Sequence, residues 1–512
     1  MAAPYAAHDP LPRSAAGSFN PWLIAVIVSI ATFMEVLDTT IANVALRHIA
    51  GGLGASLDQS TYITTSYLVS NAIVLPISGW LANVIGRKRF YMLCVLLFTV
   101  SSVACGFATS LPMMIAFRVL QGLGGGGLAP VEQSIFADTF TPEKRAMAFA
   151  LYGFTVVTAP AIGPMLGGWI TENYSWHWVF LINLPVGIVS LVLTWMFVSD
   201  SKLVQQERRA LLNKGLRIDY LGFFLVAAGF GSLQIVLDKF EREDGFSSNF
   251  ICLFTAIAGV SLVALVIREL TTAQPIVNLR LFKSRAFAIS CTVMFAFGFI
   301  INSTTQMLPQ FTQELLGYDA TNAGLTLGLG GLVTVFIMPI AGMVTGRLFQ
   351  PKWLVMMSLA GTGFAFLHTA GLDLNIGFWD VSLSRLYQVI WLPFLFIPLS
   401  TVQFIGIPPK ENNNASALIN MMRNLGGSFG VSLVTTQLAW RGQFHHARLA
   451  EHITPYNGFV SSLGSIAARV EQQASVMSYL DVFIMLGVIS LVLCPICFLL
   501  PKLPKGAQVN AH

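Results

Sequence analysis

The sequence predicts an all-α polytopic membrane protein, and three observations lead there. First, 55% of its 512 residues are hydrophobic and 10% charged, at a mean hydropathy of +0.69, whereas soluble domains carry roughly 25% charged residues. The 29 basic and 24 acidic side chains are too few to cover a soluble chain of 55.6 kDa, so a soluble enzyme is excluded as a class. Second, apolar runs of about 20 residues recur along the chain, long enough to cross a ~30 Å hydrocarbon core as helices. A β-barrel would show short alternating segments instead. Third, the basic residues sort into alternate loops.

The runs lie at 22–46, 60–82, 90–109, 111–136, 147–170, 178–198, 218–238, 249–270, 286–311, 321–345, 353–371, 379–406, 413–439 and 475–500. They give fourteen transmembrane helices. The first continues past the length of a signal peptide's apolar region and is read as a span. With segment 1–20 in the cytoplasm, 20 of the 29 Lys and Arg fall in cytoplasmic segments and six in external ones. Arg118, Arg385 and Arg423 remain inside spans. That bias is a positive-inside signal with both termini cytoplasmic, and it accounts for the net charge of +5 without a nucleic-acid partner. The six cysteines all lie in apolar runs and read as buried small residues.

An internal repeat organises the helices. Gly79 to Lys88 follows the second span as Gly342 to Arg347 follows the tenth. Arg118-Val-Leu-Gln121 opens the fourth as Arg385-Leu-Tyr-Gln388 opens the twelfth, and Gly163 to Gly168 sits in the fifth as Gly426 to Gly430 sits in the thirteenth. The offsets are 263, 267 and 263 residues. The chain thus reads as a six-helix half (21–198), a linker with two inserted helices (199–284) and a second six-helix half (285–500) with a long external loop at 441–474, followed by a tail, 501–512. Parallel six-helix halves of this kind place a substrate path at their interface near the midplane.

Leu37 to Ala45 (LDTTIANVA), Arg118 to Gly122, Gly163 to Gly168, Ser232 to Asp238 and His445-His446-Ala447 carry a resemblance that runs over nearly the whole chain. It resembles the fourteen-helix drug:proton antiporter branch of the major facilitator superfamily, most closely the EmrB type. The resemblance implies a major facilitator fold arranged as 6 + 2 + 6. It also implies proton-driven export of hydrophobic toxic compounds across the bacterial inner membrane, with the proton gradient as energy source and no cofactor. A periplasmic membrane-fusion protein and an outer-membrane channel are the partners it implies, in a tripartite pump.

Ionisable residues inside spans are functional candidates because an unpaired charge in hydrocarbon costs a few kcal/mol or more. Asp38 lies about 12 Å below the outer end of its helix and Arg118 about 10 Å below the outer end of its own, so the two can pair. Burial and pairing pull a carboxyl in opposite directions, which suits it to take up and release a proton. A permanent structural ion pair is the other reading. In the resembling family the matching acid takes part in proton coupling and the matching arginine supports it. Glu35, at i−3 from Asp38, is a second coupling site, a counter-ion for cationic substrates or a hydrated structural acid. Glu132 is read as a cation attractor in the inner vestibule or as a solvated helix-end charge. Gln121, Asn420 and Arg423 are candidates for the substrate cavity. No acid of the second half matches Asp38, which puts coupling in the first half.

Gly79, Asn83, Gly86 and Arg87 belong to a segment resembling the family's gating motif, in which an acid usually stands where this chain has Asn83. An ion-pair lock centred on that position is therefore not expected. Gly163, Pro164, Gly167 and Gly168 are read as permitting close helix packing and bending. Gly-Lys never occurs, so there is no Walker A loop to bind ATP. His445, His446 and His452 read as a solvated or partner-contacting surface, with no metal site. Export of a siderophore or other endogenous metabolite keeps the same fold, and a channel or membrane sensor is the remaining class.

Overall fold

A computed structural model describes residues 20–200, 205–206, 208–209, 213, 219–272, 275–372, 376–452 and 463–501. The readings made on 1–19, on Lys202, Lys214 and Arg217, on 453–462 and on 502–512 fall outside the described residues. The first half comprises α1 (Pro21–Leu53), α2 (Leu57–Ile85), α3 (Arg87–Gly106), α4 (Leu111–Gly125), α5 (Leu128–Thr139), α6 (Pro142–Asn173), α7 (His177–Leu181) and α8 (Asn183–Phe197). Two helices follow, α9 (Tyr220–Lys239) and α10 (Asn249–Thr271). Then come α11 (Arg285–Glu314), α12 (Ala320–Val344), α13 (Pro351–Thr369), α14 (Phe378–Val389), α15 (Leu392–Val402), α16 (Asn412–Glu451) and α17 (Leu463–Leu493).

Local chemistry sets several of these boundaries. Asn20 caps α1 through Trp22 N at 2.9 Å, Pro21 opens the helix, and Gly54 ends it at φ +63°. Ser56 and Gln59 form a reciprocal capping box on α2. Gly86, at φ +98°, makes the turn into α3 that a side-chain-bearing residue would adopt only with strain.

Every apolar run of the sequence meets a helix or a helix pair, with differences that have local causes. The run 111–136 breaks at Gly126-Gly127 into α4 and α5, where consecutive glycines weaken the helix. The runs 178–198 and 379–406 are likewise two pieces each. Among the described residues ten helices can cross a membrane by length and composition, or eleven if α6, bent by 41° between Pro160 and Ile162, is one span. The expected loop at 441–474 is helical on both sides, since α16 continues to Glu451 and α17 starts at Leu463.

The two halves pack alike. In the first, α1 lies along α6, and in the second α11 lies along α16, the counterpart pair. A Cβ on Gly163 would fall on Thr40 Oγ1, and one on Gly426 would fall on the Phe295 carbonyl oxygen, so both glycines are points of backbone-close contact. Across the interface α6 meets α12, and α2 and α5 meet α16. The inserted α9 packs on α2, where Thr65 donates to Asp238 and Lys239 Nζ sits 3.8 Å from the Tyr62 ring centroid. It also reaches α16, accepting at Gln234 from Ser428 (3.0 Å).

Asp219 joins α9 to α10. It caps α9 through Gly222 N at 2.9 Å and accepts from Arg268 at 3.1 and 3.3 Å. Burial works to raise this carboxyl, but Arg268 and the Gly222 amide hold it below its ordinary value.

Gly168 departs from the packing expected of it: a Cβ there meets nothing within 4 Å. Gly163→Val should therefore destabilise the chain by about 1–3 kcal/mol through overpacking against α1, while Gly168→Val should leave it close to unchanged. Thermal melting of the two purified variants in detergent, followed by size-exclusion chromatography, separates them.

Candidate functional site

Asp38 is the centre of the buried polar cluster in the first half. It is 1% exposed, in mid-α1, and both its oxygens are engaged. Arg118 Nη1, from α4, donates to Oδ2 at 2.8 Å, and Asn183 Nδ2, at the start of α8, donates to Oδ1 at 2.6 Å. Arg118 also donates to Gln121 Oε1 (2.7 Å) and to the Ile63 carbonyl of α2 (3.2 Å). Its guanidinium lies 4.5 Å from the Tyr67 ring centroid. Asn183 is tied in turn to Ser102 of α3 at 2.9 Å. Five helices thus converge on one ion pair. The structure brings Asp38 and Arg118 together, as their matched depths predict.

Gln121 is fully buried and belongs to the hydrogen bonds that orient Arg118, three residues away on the same face of α4. Asn183 and Tyr67 were not singled out from the sequence. A lone amide inside the run 178–198 is a signal for the first, because intramembrane polar groups need partners; an aromatic in a span carries no such signal.

Glu35 stands one turn from Asp38 and is only partly buried. Its Oε1 accepts from Tyr67 OH at 2.7 Å. Tyr67 therefore touches both elements, stacking under Arg118 with its ring and bonding Glu35 with its hydroxyl. Of the two readings of Glu132, a vestibule acid or a solvated helix-end charge, the second is excluded: it is fully buried on α5. Ser29 of α1 donates to its Oε1 at 2.5 Å, while its Oε2 has no hydrogen-bond partner. The reason is the break at Gly126-Gly127, which restarts the helix as α5 with α1, α2, α6 and α16 packed around it.

Asn420 and Arg423, on α16, lie at the seam between the halves. Asn420 Nδ2 donates to Gln133 Oε1 (3.0 Å), and its Oδ1 accepts from Tyr152 OH (3.2 Å). Arg423 Nη1 donates to the same Tyr152 hydroxyl at 2.7 Å. Asn424 reaches Asn71 of α2 at 3.4 Å. Nearer the Gly86 end, Ser134 and Ser416 hydroxyls are 3.1 Å apart, and Asn413 donates to Asn83.

The gating segment does contain an ion-pair lock, although not at Asn83. Arg87 pairs with Asp138 at the end of α5, and Asn412 of the second half donates to that same carboxylate at 2.9 Å. The acid comes from another helix, which the motif's own spacing could not reveal. Gly79 allows α16 to close over α2: a Cβ there would lie 2.8 Å from the Asn413 carbonyl oxygen.

Arg385 repeats Arg118 with one change. It is 6% exposed, and its Nη1 faces Gln388 Oε1 at 3.5 Å, as Arg118 faces Gln121. The residue 267 positions after Asp38 is Thr305, and Arg385 Nη2 donates to its hydroxyl at 3.2 Å, with Nη1 donating to Thr304 at 3.0 Å.

Comparison with known proteins places these features in a family. The profile described as Major Facilitator Superfamily matches residues 28–431. The chain is 37% identical over 509 residues to the multidrug export protein EmrB of Escherichia coli strain K12, covering 95% of this chain and 96% of that one. It is 40% identical over 438 residues to EmrB of Haemophilus influenzae, covering 85% and 84%. The solved proton:xylose symporter XylE, at 16% identity, superposes with a TM-score of 0.62 over 94% of this chain and 96% of that one, which is a likeness of fold.

The geometry makes the Asp38–Arg118 pair energetically coupled. Arg118→Gln alone leaves a carboxylate buried without its cation and should destabilise by about 3–5 kcal/mol. Arg118→Gln combined with Asp38→Asn should lose clearly less than the two single losses added together. A double-mutant cycle from melting curves measures it, and strict additivity would refute the coupling.

Proposed function

The chain belongs to the Major Facilitator Superfamily, and we propose that it works as a multidrug exporter of the EmrB type, moving lipophilic compounds out of the cell by alternating access in exchange for protons. Its multiple apolar helices make it a multi-pass membrane protein. The bacterial inner membrane is its site of action, with the Gly86 end toward the cytoplasm, where the basic loops lie, and with fourteen spans arranged as six, two and six. Export needs no bound cofactor; the proton gradient drives it. A periplasmic membrane-fusion protein and an outer-membrane channel complete the path outward.

The observation that carries the coupling is Asp38, a buried carboxylate held by one cation and one amide. While those contacts are intact the carboxyl is paired and shut off from water. When the halves rock and Arg118 withdraws, the carboxylate is left in hydrocarbon and becomes a proton acceptor. Glu35, hydrogen-bonded to Tyr67 beside the same arginine, receives or passes that proton. Each inbound charge supplies about 2.3 kcal/mol per 100 mV of membrane potential. The seam contacts Arg87–Asp138–Asn412, Asn83–Asn413 and Ser134–Ser416 close the Gly86 end, so transport requires breaking them together. Arg423, Asn420 and Glu132 line or flank the route they guard.

Everted vesicles with an imposed pH gradient test the reading. Wild type should release protons when drug is added, and Asp38→Asn should abolish that exchange while the protein remains inserted. Unchanged exchange in the variant would sink the assignment.

A further inference from the structure

Arg385 is a buried cation without an anion. Among the described residues no carboxylate pairs with it; its partners are the Thr304 and Thr305 hydroxyls and Gln388 Oε1, all neutral. It is 6% exposed, and its Nε, also buried, makes no hydrogen bond to the described residues. Arg118, in the equivalent place of the first half, is neutralised by Asp38; where the repeat would put that acid, the second half has Thr305. A lone guanidinium at low dielectric, with a donor unused, is unfavourable unless a negative charge joins it.

Arg385 and Thr305 share a small cavity of about 20 Å³. The rest of its wall is Gly331 and apolar side chains, among them Val157 and Pro160 of α6, Ile301 of α11 and Leu327 of α12. A single water needs roughly 10–15 Å³, so the space admits one water or one monatomic ion and no chain of atoms. Polarity decides between the two. Thr305 accepts from Arg385 Nη2 and donates to no described residue, so its hydroxyl hydrogen is free, as is the Arg385 Nε–H. Both unused groups are donors. A water would satisfy them but would leave its own hydrogens facing apolar side chains and the positive charge uncancelled. A halide accepts both hydrogen bonds and cancels the charge.

We propose that this cavity is a halide site, taking chloride in the cell, and that the bound ion stands in for the carboxylate that Asp38 supplies to Arg118. The ion lies against the Arg385 Nε–H and the Thr305 hydroxyl. It reinforces the contact of α14 with α11 as Asp38 ties α4 to α1. The site goes beyond the exporter reading and does not depend on what the chain exports.

Equilibrium binding of radiolabelled chloride to the purified full chain in lipid nanodiscs tests it, with empty nanodiscs subtracted and gluconate holding the ionic strength constant. Wild type should bind one chloride per chain saturably, displaced by bromide and not by gluconate. Replacing gluconate with chloride should raise its melting temperature, because a ligand held only by the folded chain stabilises that chain. Thr305→Asp gives the arginine a fixed carboxylate. It should weaken chloride binding by about tenfold or more, and should melt in gluconate where wild type melts only in chloride. Arg385→Gln should lose the binding as well. The two substitutions act from different helices, so if one variant does not fold the other decides. Absence of saturable chloride binding by wild type overturns the site and leaves the cavity to water. Chloride binding unchanged in Thr305→Asp or in Arg385→Gln overturns it too, by placing the ion elsewhere.

Discussion

The scarcity of charge inside hydrocarbon is the constraint from which the rest of the molecule follows. An ion in a lipid-embedded bundle persists only where another group answers it. Asp38 and Arg118 do so most completely: α1, α2, α3, α4 and α8 each supply a group to one network, through Asp38, Ile63, Ser102, Arg118 and Asn183. A pair so enclosed is both a structural tie and a store of charge. It stabilises the arrangement of the helices seen here.

The two halves meet through a different kind of contact. Within each half, close backbone approach dominates, as at Gly163 on α1 and Gly426 on α11. Across the seam the contacts at the Gly86 end are largely small amides and hydroxyls, Asn83 with Asn413, Ser134 with Ser416 and Gln133 with Asn420. Neutral hydrogen bonds of this kind contribute roughly 0.5–1.5 kcal/mol each, enough together to hold a closed end and few enough to be exchanged for water when it opens. The ion pair Arg87–Asp138 backs them from within the first half, and Asn412 links it to the second.

The repeat also shows how one scaffold is put to two uses. Arg118 and Arg385 each face a glutamine three residues on and a residue of the first helix of their half. Replacement of the acid by Thr305 leaves the second arginine unneutralised beside an apolar pocket. The first half therefore holds its charge internally, and the second presents it to the interface.

The all-α membrane class and the pairing of Asp38 with Arg118 could be read from the chain because hydropathy and depth along a helix are one-dimensional quantities. Matching depth even predicted that those two residues meet. Other features needed three dimensions. The solvated-end reading of Glu132 assumes an unbroken helix from Arg118, and the break at Gly126-Gly127 carries the residue into the core. The ion pair of Arg87 could not be read from its motif because its acid, Asp138, belongs to another helix. The bond from Arg118 to Gln121 likewise appears only once the helices are placed. The sequence by itself determined that the chain is a many-helix membrane protein and where along it the scarce charges stand. Only the tertiary structure decided what each charge faces, because partners in a bundle are chosen by helix rotation and close packing, and neither is written in the spacing along one strand of sequence.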